Sequence, residues 1–164
     1  MIIGIVAVDN NWGIGKDNKL LFHIKEDMQF FKQMTTGHIV CMGHNTYRSL
    51  PKFPLENRIN VVLTSTAEIN DCITLHSLND VLDYYNTTNN DLYIIGGSIL
   101  YNQMLPYYDK VYVTKVFADK DADTYFPNLD SNIEFIISNK SDIIKNDIYT
   151  FQFLTYERKL KDED

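Results

Sequence analysis

Leu92-Tyr93-Ile94-Ile95-Gly96-Gly97-Ser98-Ile99 decides the class of fold. The four apolar residues read as a buried strand, the paired glycines as a tight turn, and Ser98 onward as the start of a helix. A fully apolar strand followed at once by a helix is the unit of a parallel sheet. The pattern recurs at Val40-Cys41-Met42-Gly43-His44-Asn45-Thr46, where a strand meets glycine and then polar residues able to cap a helix. Along the whole chain, strands are predicted at residues 2–8, 38–42, 59–63, 73–75, 92–95, 110–116, 133–138 and 149–156, and helices at 24–34, 45–50, 78–85 and 99–105. Strands alternating with helices predict an α/β sheet of mostly parallel strands. The last two strands have no helix between them, so an antiparallel hairpin is expected at one edge.

The composition bounds the function. A chain of 164 residues, 45% of them hydrophobic, can bury a sizeable core without disulfides or a structural metal. One domain over 1–164 is expected, its last few residues a polar tail. The net charge of −7, with no basic stripe, argues against nucleic acid and anionic membranes as partners. A small anionic ligand needs only a few local cations, and the chain has three arginines, Arg48, Arg58 and Arg158. The apolar run at residues 2–8 is too short to span a membrane and lacks a basic leader, so it reads as a strand rather than a signal peptide. Cys41 and Cys72 show no metal spacing and are expected to be reduced thiols, which fits the cytoplasm.

One acid stands out. In Leu21-Phe22-His23-Ile24-Lys25-Glu26-Asp27-Met28-Gln29-Phe30-Phe31-Lys32-Gln33-Met34, the residues Ile24, Met28, Phe31 and Met34 form an apolar stripe at helical spacing, and Asp27 lies inside it. Two readings stand. Asp27 either bends outward from the stripe edge to pair with a lysine, or meets a ligand whose donors replace its lost hydration. The glycine junctions also carry two readings. Ligands in open α/β sheets bind beyond the carboxyl ends of strands, and free N–H groups at a helix start favour phosphate. A tight strand-to-helix turn wants glycine too. Neither junction is a G-x-G-x-x-G fingerprint or a Walker loop, which disfavours ordinary Rossmann and NTPase readings.

Taken in order, a set of stretches resembles dihydrofolate reductase over essentially the whole chain. They are Ile5-Val6-Ala7-Val8-Asp9, Gly13-Ile14-Gly15-Lys16-Asp17-Asn18, Glu26-Asp27-Met28-Gln29-Phe30-Phe31-Lys32 and Met42-Gly43-His44-Asn45-Thr46. Further on come Pro54-Leu55-Glu56-Asn57-Arg58, Ile94-Ile95-Gly96-Gly97, Tyr112-Val113-Thr114 and Ala122-Asp123-Thr124-Tyr125-Phe126-Pro127. The resemblance implies a three-layer fold: a central eight-stranded, mostly parallel sheet with an antiparallel C-terminal edge, flanked by about four helices. It implies reduction of 7,8-dihydrofolate to tetrahydrofolate, with NADPH passing a hydride to pterin C6 while N5 gains a proton. A cytoplasmic monomer without a metal is also implied.

Residue by residue, the resemblance makes Asp27 the catalytic carboxylate that binds the pterin's 2-amino group and adjacent ring nitrogen, supported by the hydroxyl of Thr114. Ile5, Val6, Ala7, Phe22, Met28, Phe31, Leu50, Leu55 and Ile95 would line the slot around the substrate rings. Arg58 would grip the glutamate α-carboxylate, with Lys32 and Lys52 flanking the entrance. On the cofactor side, Ala7 and Ile14 would border the nicotinamide under a mobile flap running from Gly15 through Asn18 to Leu20. Gly96, Gly97, Ser98, Ile99 and Leu100 would take the pyrophosphate, with Tyr101 and Ile95 near the nicotinamide. Gly43, His44, Asn45, Thr46, Leu63, Thr64, Ser65 and His76 would surround the adenosine and its 2′-phosphate.

Three positions depart from the family pattern. Phe22 follows Leu21 where Pro-Trp is usual, so the indole N–H is missing. His44 replaces an Arg or Lys, leaving an imidazole that is cationic only when protonated. Ser98 stands where a third glycine is common. A related reductase of riboflavin synthesis and a non-catalytic nucleotide-binding protein are the rival readings. The combination of Asp27, Thr114 and Arg58 favours a folate over a ribitol phosphate.

Overall fold

The computed structural model describes residues 1–66 and 68–160. Eight strands run across the main sheet in the order β10-β12-β8-β1-β7-β4-β5-β6. They are β1 (Ile2–Val8), β4 (Ile39–Gly43), β5 (Ile59–Leu63), β6 (Ile73–Leu75), β7 (Leu92–Gly96), β8 (Lys110–Val116), β10 (Phe135–Lys140) and β12 (Thr150–Arg158). The helices are α1 (Lys25–Thr35), α2 (His44–Ser49), α3 (Leu78–Asn86) and α4 (Ser98–Gln103). From β1 to β6 the chain builds one side of the sheet, returns as β7 between β4 and β1, and then places β8 on the other side of β1. All of these pairs are parallel, as the apolar runs demand, whereas β12 pairs antiparallel with both β8 and β10.

The expected sheet and four helices are present, with shifts at the boundaries. Ile24 is the N-cap of α1 rather than its first helical residue, and β10 and β12 extend beyond the predicted ends. Leu105 belongs to a separate 3-10 turn after α4. Four short strands went unpredicted. β2 (Gly13–Lys16), β3 (Lys19–Leu20) and β9 (Thr124–Tyr125) form a second small sheet, and β11 (Ile144–Lys145) pairs with β12. Each has two to four residues, too few for a two-residue period to register.

Local chemistry explains where helices begin and end. Ser77 caps α3 by accepting the Asp80 N–H. After α1, Gly37 at φ +87° takes the left-handed conformation that stops a helix. Ile39, Val40, Cys41, Met42, Val61, Val62 and Ile94 are fully buried in the parallel strands. Each such side chain contributes about 1.5–3 kcal/mol by leaving water. Burial pushes the Cys41 thiol up to about 12, leaving it an inert core residue.

Candidate active site

Strand register gathers the carboxyl ends. Ala7 pairs with Thr114, Gly43 with Leu63, and Met42 with Gly96. Asp27 faces this rim from the first turn of α1, where the helix's free amides favour negative charge. Thr114 Oγ1 donates to Asp27 Oδ1 at 2.6 Å, and Thr114 is only 2% exposed. Burial pushes the Asp27 carboxyl above the ordinary carboxylate range, and the Thr114 bond pulls the other way. Among the described residues no donor reaches Asp27 Oδ2. One oxygen is therefore held and the other left open, an arrangement that can take a ligand's paired donors. Tyr101 lies close by in a fully buried position, its hydroxyl donating to the Ile5 carbonyl at 2.7 Å. Desolvation, with the Asp27 charge behind it, raises that phenol and keeps it neutral.

The structure corrects one part of the α1 reading. Met28 is 61% exposed rather than packed in the stripe. α1 meets the sheet through Phe30, Phe31, Met34 and Thr35, so the covered stripe is rotated toward Phe30 and centred near Asp27. Ile24 is buried, but in a separate cluster with Phe22, Val116 and Phe151. Phe22 packs edge-on to Tyr149 at 5.3 Å. Ile5 and Val6 are buried in β1, while Ala7 and Ile95 are half-covered at strand ends.

Arg58 is held in place rather than free. Its Nε donates to the Glu56 carbonyl at 2.9 Å, Nη1 donates to Thr35 Oγ1 at 3.2 Å, and the guanidinium lies 5.9 Å from the Phe31 ring centre. Among the described residues no carboxylate forms a salt bridge with it, and a planar guanidinium can take a carboxylate. Leu50 and Leu55 pack near Phe31, whereas Lys32 and Lys52 are exposed at the surface. Asn60, absent from the expected site, holds the loop carrying Leu55 and Arg58. Its Oδ1 accepts the Leu55 N–H at 2.9 Å, and its amide donates to the carbonyls of Leu55 at 2.9 Å and Arg58 at 3.1 Å. The available signal was an amide inside the apolar run 59–63.

On the other side of the rim, Gly96 adopts φ +134°, open only to glycine, and an added Cβ would sit 3.1 Å from Thr46 Oγ1. The amides of Ser98, Ile99 and Leu100 precede the first helical bond of α4, in which Tyr101 N donates to the Gly97 carbonyl. The Leu100 side chain is buried in the core and the Ile99 side chain exposed, so both could meet a ligand chiefly through backbone. Gly43 lies against the same cradle, 3.9 Å from Gly96 O and Gly97 N by its Cβ position. Such a cradle fits a diphosphate. Beyond it, His44 Nδ1 lies 3.1 Å from Thr64 Oγ1, and His76 Nδ1 donates to the Thr64 carbonyl at 2.7 Å. The two imidazoles thus flank the end of β5, with Ser65 exposed beside them.

The segment expected to form the flap is a β2–β3 hairpin. Asp17 and Asn18 take φ values of 52° and 62°, the left-handed pair of a type I′ turn. Ile14 and Gly15 are buried at its base, and Leu20 is exposed. A cleft of ≈ 350 Å³ opens between its tip and α2, lined by Asp17, Asn18, Lys19, Asn45, Arg48 and Ser49. Among the described residues, no group of three His, Cys, Asp or Glu side chains could hold a metal, and no helix is long and apolar enough to cross a membrane.

The chain and its overall fold are similar to those of known proteins. A family model described as dihydrofolate reductase matches residues 1–158. A dihydrofolate reductase of Bacillus subtilis is 39% identical over 162 residues, covering 97% of this chain and 95% of its own. One from Haemophilus influenzae is 36% identical over 159 residues, covering 94% and 97%. The solved structure of dihydrofolate reductase from Enterococcus faecalis complexed with NADP(H) and RAB-propyl superposes with a TM-score of 0.89 at 28% identity, covering 98% of this chain and 97% of its own.

Proposed function

This chain belongs to the dihydrofolate reductase family, and from that premise we propose which residues carry the reduction of dihydrofolate by NADPH. Asp27 anchors the pterin, accepting from its 2-amino group and the neighbouring ring nitrogen in the two-acceptor, two-donor match a carboxylate offers. Thr114 keeps that carboxylate turned toward the ligand. Ile5, Val6, Ala7, Phe22, Met28, Phe31, Leu50, Leu55 and Ile95 enclose the substrate rings, and the exposed Met28 becomes intelligible as a wall of an open cleft. Arg58 takes the glutamate carboxylate, with Lys32 and Lys52 adding long-range attraction.

The cofactor side is assigned on the same footing. Gly96, Gly97 and the amides of Ser98, Ile99 and Leu100 hold the diphosphate. Gly43, His44, Asn45, Thr46, Leu63, Thr64, Ser65 and His76 surround the adenosine end. Ala7, Ile14, Ile95 and Tyr101, under the flap residues Gly15, Asn18 and Leu20, border the nicotinamide. NADPH supplies the hydride that pterin C6 accepts, while N5 gains a proton and tetrahydrofolate enters folate metabolism. The protein's part is alignment in a water-poor slot. Asp27, with its raised carboxyl, biases the pterin toward protonation as well as fixing its orientation. We also read residues 1–164 as one domain working as a cytoplasmic monomer, as the family resemblance implies, and both cysteines are free thiols.

The observation that carries these assignments is the Thr114–Asp27 hydrogen bond of 2.6 Å facing the glycine cradle across the rim. Loss of NADPH absorbance on adding dihydrofolate tests them. Asp27→Ser is expected to lower turnover by about 100-fold or more, the usual weight of an acid–base group. Turnover equal to the wild type would remove Asp27 from the mechanism.

A further inference from the structure

Asp9 is a buried carboxylate, 1% exposed, with no part in the assignments above. It follows β1 directly. Its Oδ1 accepts the N–H groups of Asn11 at 2.9 Å and Gly13 at 2.8 Å, and its Oδ2 accepts the Lys120 N–H at 3.0 Å. Two segments 111 residues apart in sequence thus meet at one side chain. The first is the root of the flap. The second, residues 118–123, touches the flap at further points. Asn10 N donates to the Ala118 carbonyl, Asp123 N donates to the Gly15 carbonyl, and Asp17 N donates to Asp123 Oδ2 at 3.1 Å. Lys120 also places its Nζ 5.9 Å from the ring centre of Phe22 and 5.7 Å from that of Tyr149. The residue whose amide Asp9 holds therefore also reaches Phe22, two residues past the end of β3.

The packing at the root leaves little freedom. A Cβ on Gly13 would lie 2.6 Å from Ala122 Cβ and 3.0 Å from Asp9 Oδ1. Between the two amides bound by Oδ1 sits Trp12, at φ 64°, stacked on Phe126 and edge-on to Tyr156. A carboxylate is the one side chain of this size that presents acceptors on both sides without a donor. Asparagine would set an N–H₂ against a backbone N–H whichever way it turned.

We propose that Asp9 is a positioning residue for the cofactor: by tying the flap root to residues 118–123 it sets how the flap lies over the nicotinamide end of the site. This rests on the flap assignment made above, and Gly96→Ala tests the cofactor site independently of Asp9. In Asp9→Asn the NADPH dissociation constant is expected to rise about tenfold, the weight of one charged hydrogen bond. Dihydrofolate affinity in the binary complex should change by less than about twofold, within the ordinary reach of a remote substitution. Trp12, the single tryptophan of the chain, should shift its emission to the red as the root loosens. Asp109→Asn is the control, because it loses a similar bond, to Ile2 N at 2.8 Å, far from the flap. It should leave NADPH affinity and Trp12 emission unchanged. Equal losses of both ligand affinities in Asp9→Asn would overturn the proposal, as would a lowered melting temperature with NADPH affinity intact. Amide hydrogen exchange in the wild type gives a second test without substitution. Adding NADPH should slow exchange at Asn11, Gly13 and Lys120 together, and unchanged exchange at all three would count against Asp9 coupling the flap to the cofactor.

Discussion

Thr114→Val removes a single hydroxyl while keeping the branched shape that β8 accommodates. Thr114 is 2% exposed, so water is poorly placed to replace the bond it donates to Asp27 at 2.6 Å. A hydrogen bond to a charged group contributes about 1.5–3 kcal/mol. If that stabilisation is what presents the carboxylate to the pterin, dihydrofolate affinity falls roughly 10- to 100-fold. NADPH affinity should hold. The titration of Asp27 moves as well. Burial raises its carboxyl and Thr114 opposes the rise, so removing Thr114 raises it further. A native carboxyl raised above its unfolded value keeps a proton that the unfolded chain has released. Stability is therefore fully present below the unfolded value and declines as pH rises through the native one. In Thr114→Val the decline should extend to higher pH. Fluorescence titration with dihydrofolate and melting temperatures across a pH series measure the two effects, with Thr114→Ser expected to restore both. Unchanged dihydrofolate affinity and an unchanged pH series for Thr114→Val would show that the hydroxyl does not hold the acid.

Other substitutions test neighbouring parts of the site. Gly96→Ala forces a side chain into φ +134° against Thr46, and should cost about 1–3 kcal/mol of stability and weaken NADPH binding more than dihydrofolate binding. Thermal melts and both binding titrations check this. Asn60→Ala leaves the Leu55 N–H and two carbonyls without their partner, and should destabilise by about 1–3 kcal/mol, seen as a melting temperature lower by about 2–12 °C. It should also raise the KM for dihydrofolate, because the loop carrying Arg58 loosens, while the KM for NADPH stays constant.

Much of this architecture was legible because it is written in periodicity. The apolar runs at β1, β4, β5, β7 and β8 mark buried parallel strands, and glycine at 43 and 96–97 marks where they end. Asp27 was conspicuous because a carboxylate among apolar residues breaks the pattern. What escaped has a physical reason in each case. The stripe of α1 could be located to within a turn, yet which edge is covered depends on how the helix lies across the sheet, and Met28 fell on the open side. Asn60 and Asp9 act by holding backbone groups distant in the chain or folded back in a loop, and neither leaves a repeat in the sequence. The flap hairpin is too short for alternation, though Asp17-Asn18 carries the left-handed turn preference that could have placed it.

The rate of hydride transfer against pH, measured in single turnovers with NADPH and dihydrofolate for the wild type and Asp27→Asn, addresses the role of Asp27 most directly. In the wild type the rate should fall as pH rises through the titration of a carboxyl raised above the ordinary carboxylate range. The Asn side chain cannot titrate, so Asp27→Asn should be slow and should lose that inflection. A variant that keeps the wild-type rate and the same falling limb would contradict the assignment of Asp27 as both anchor and electrostatic bias for the pterin.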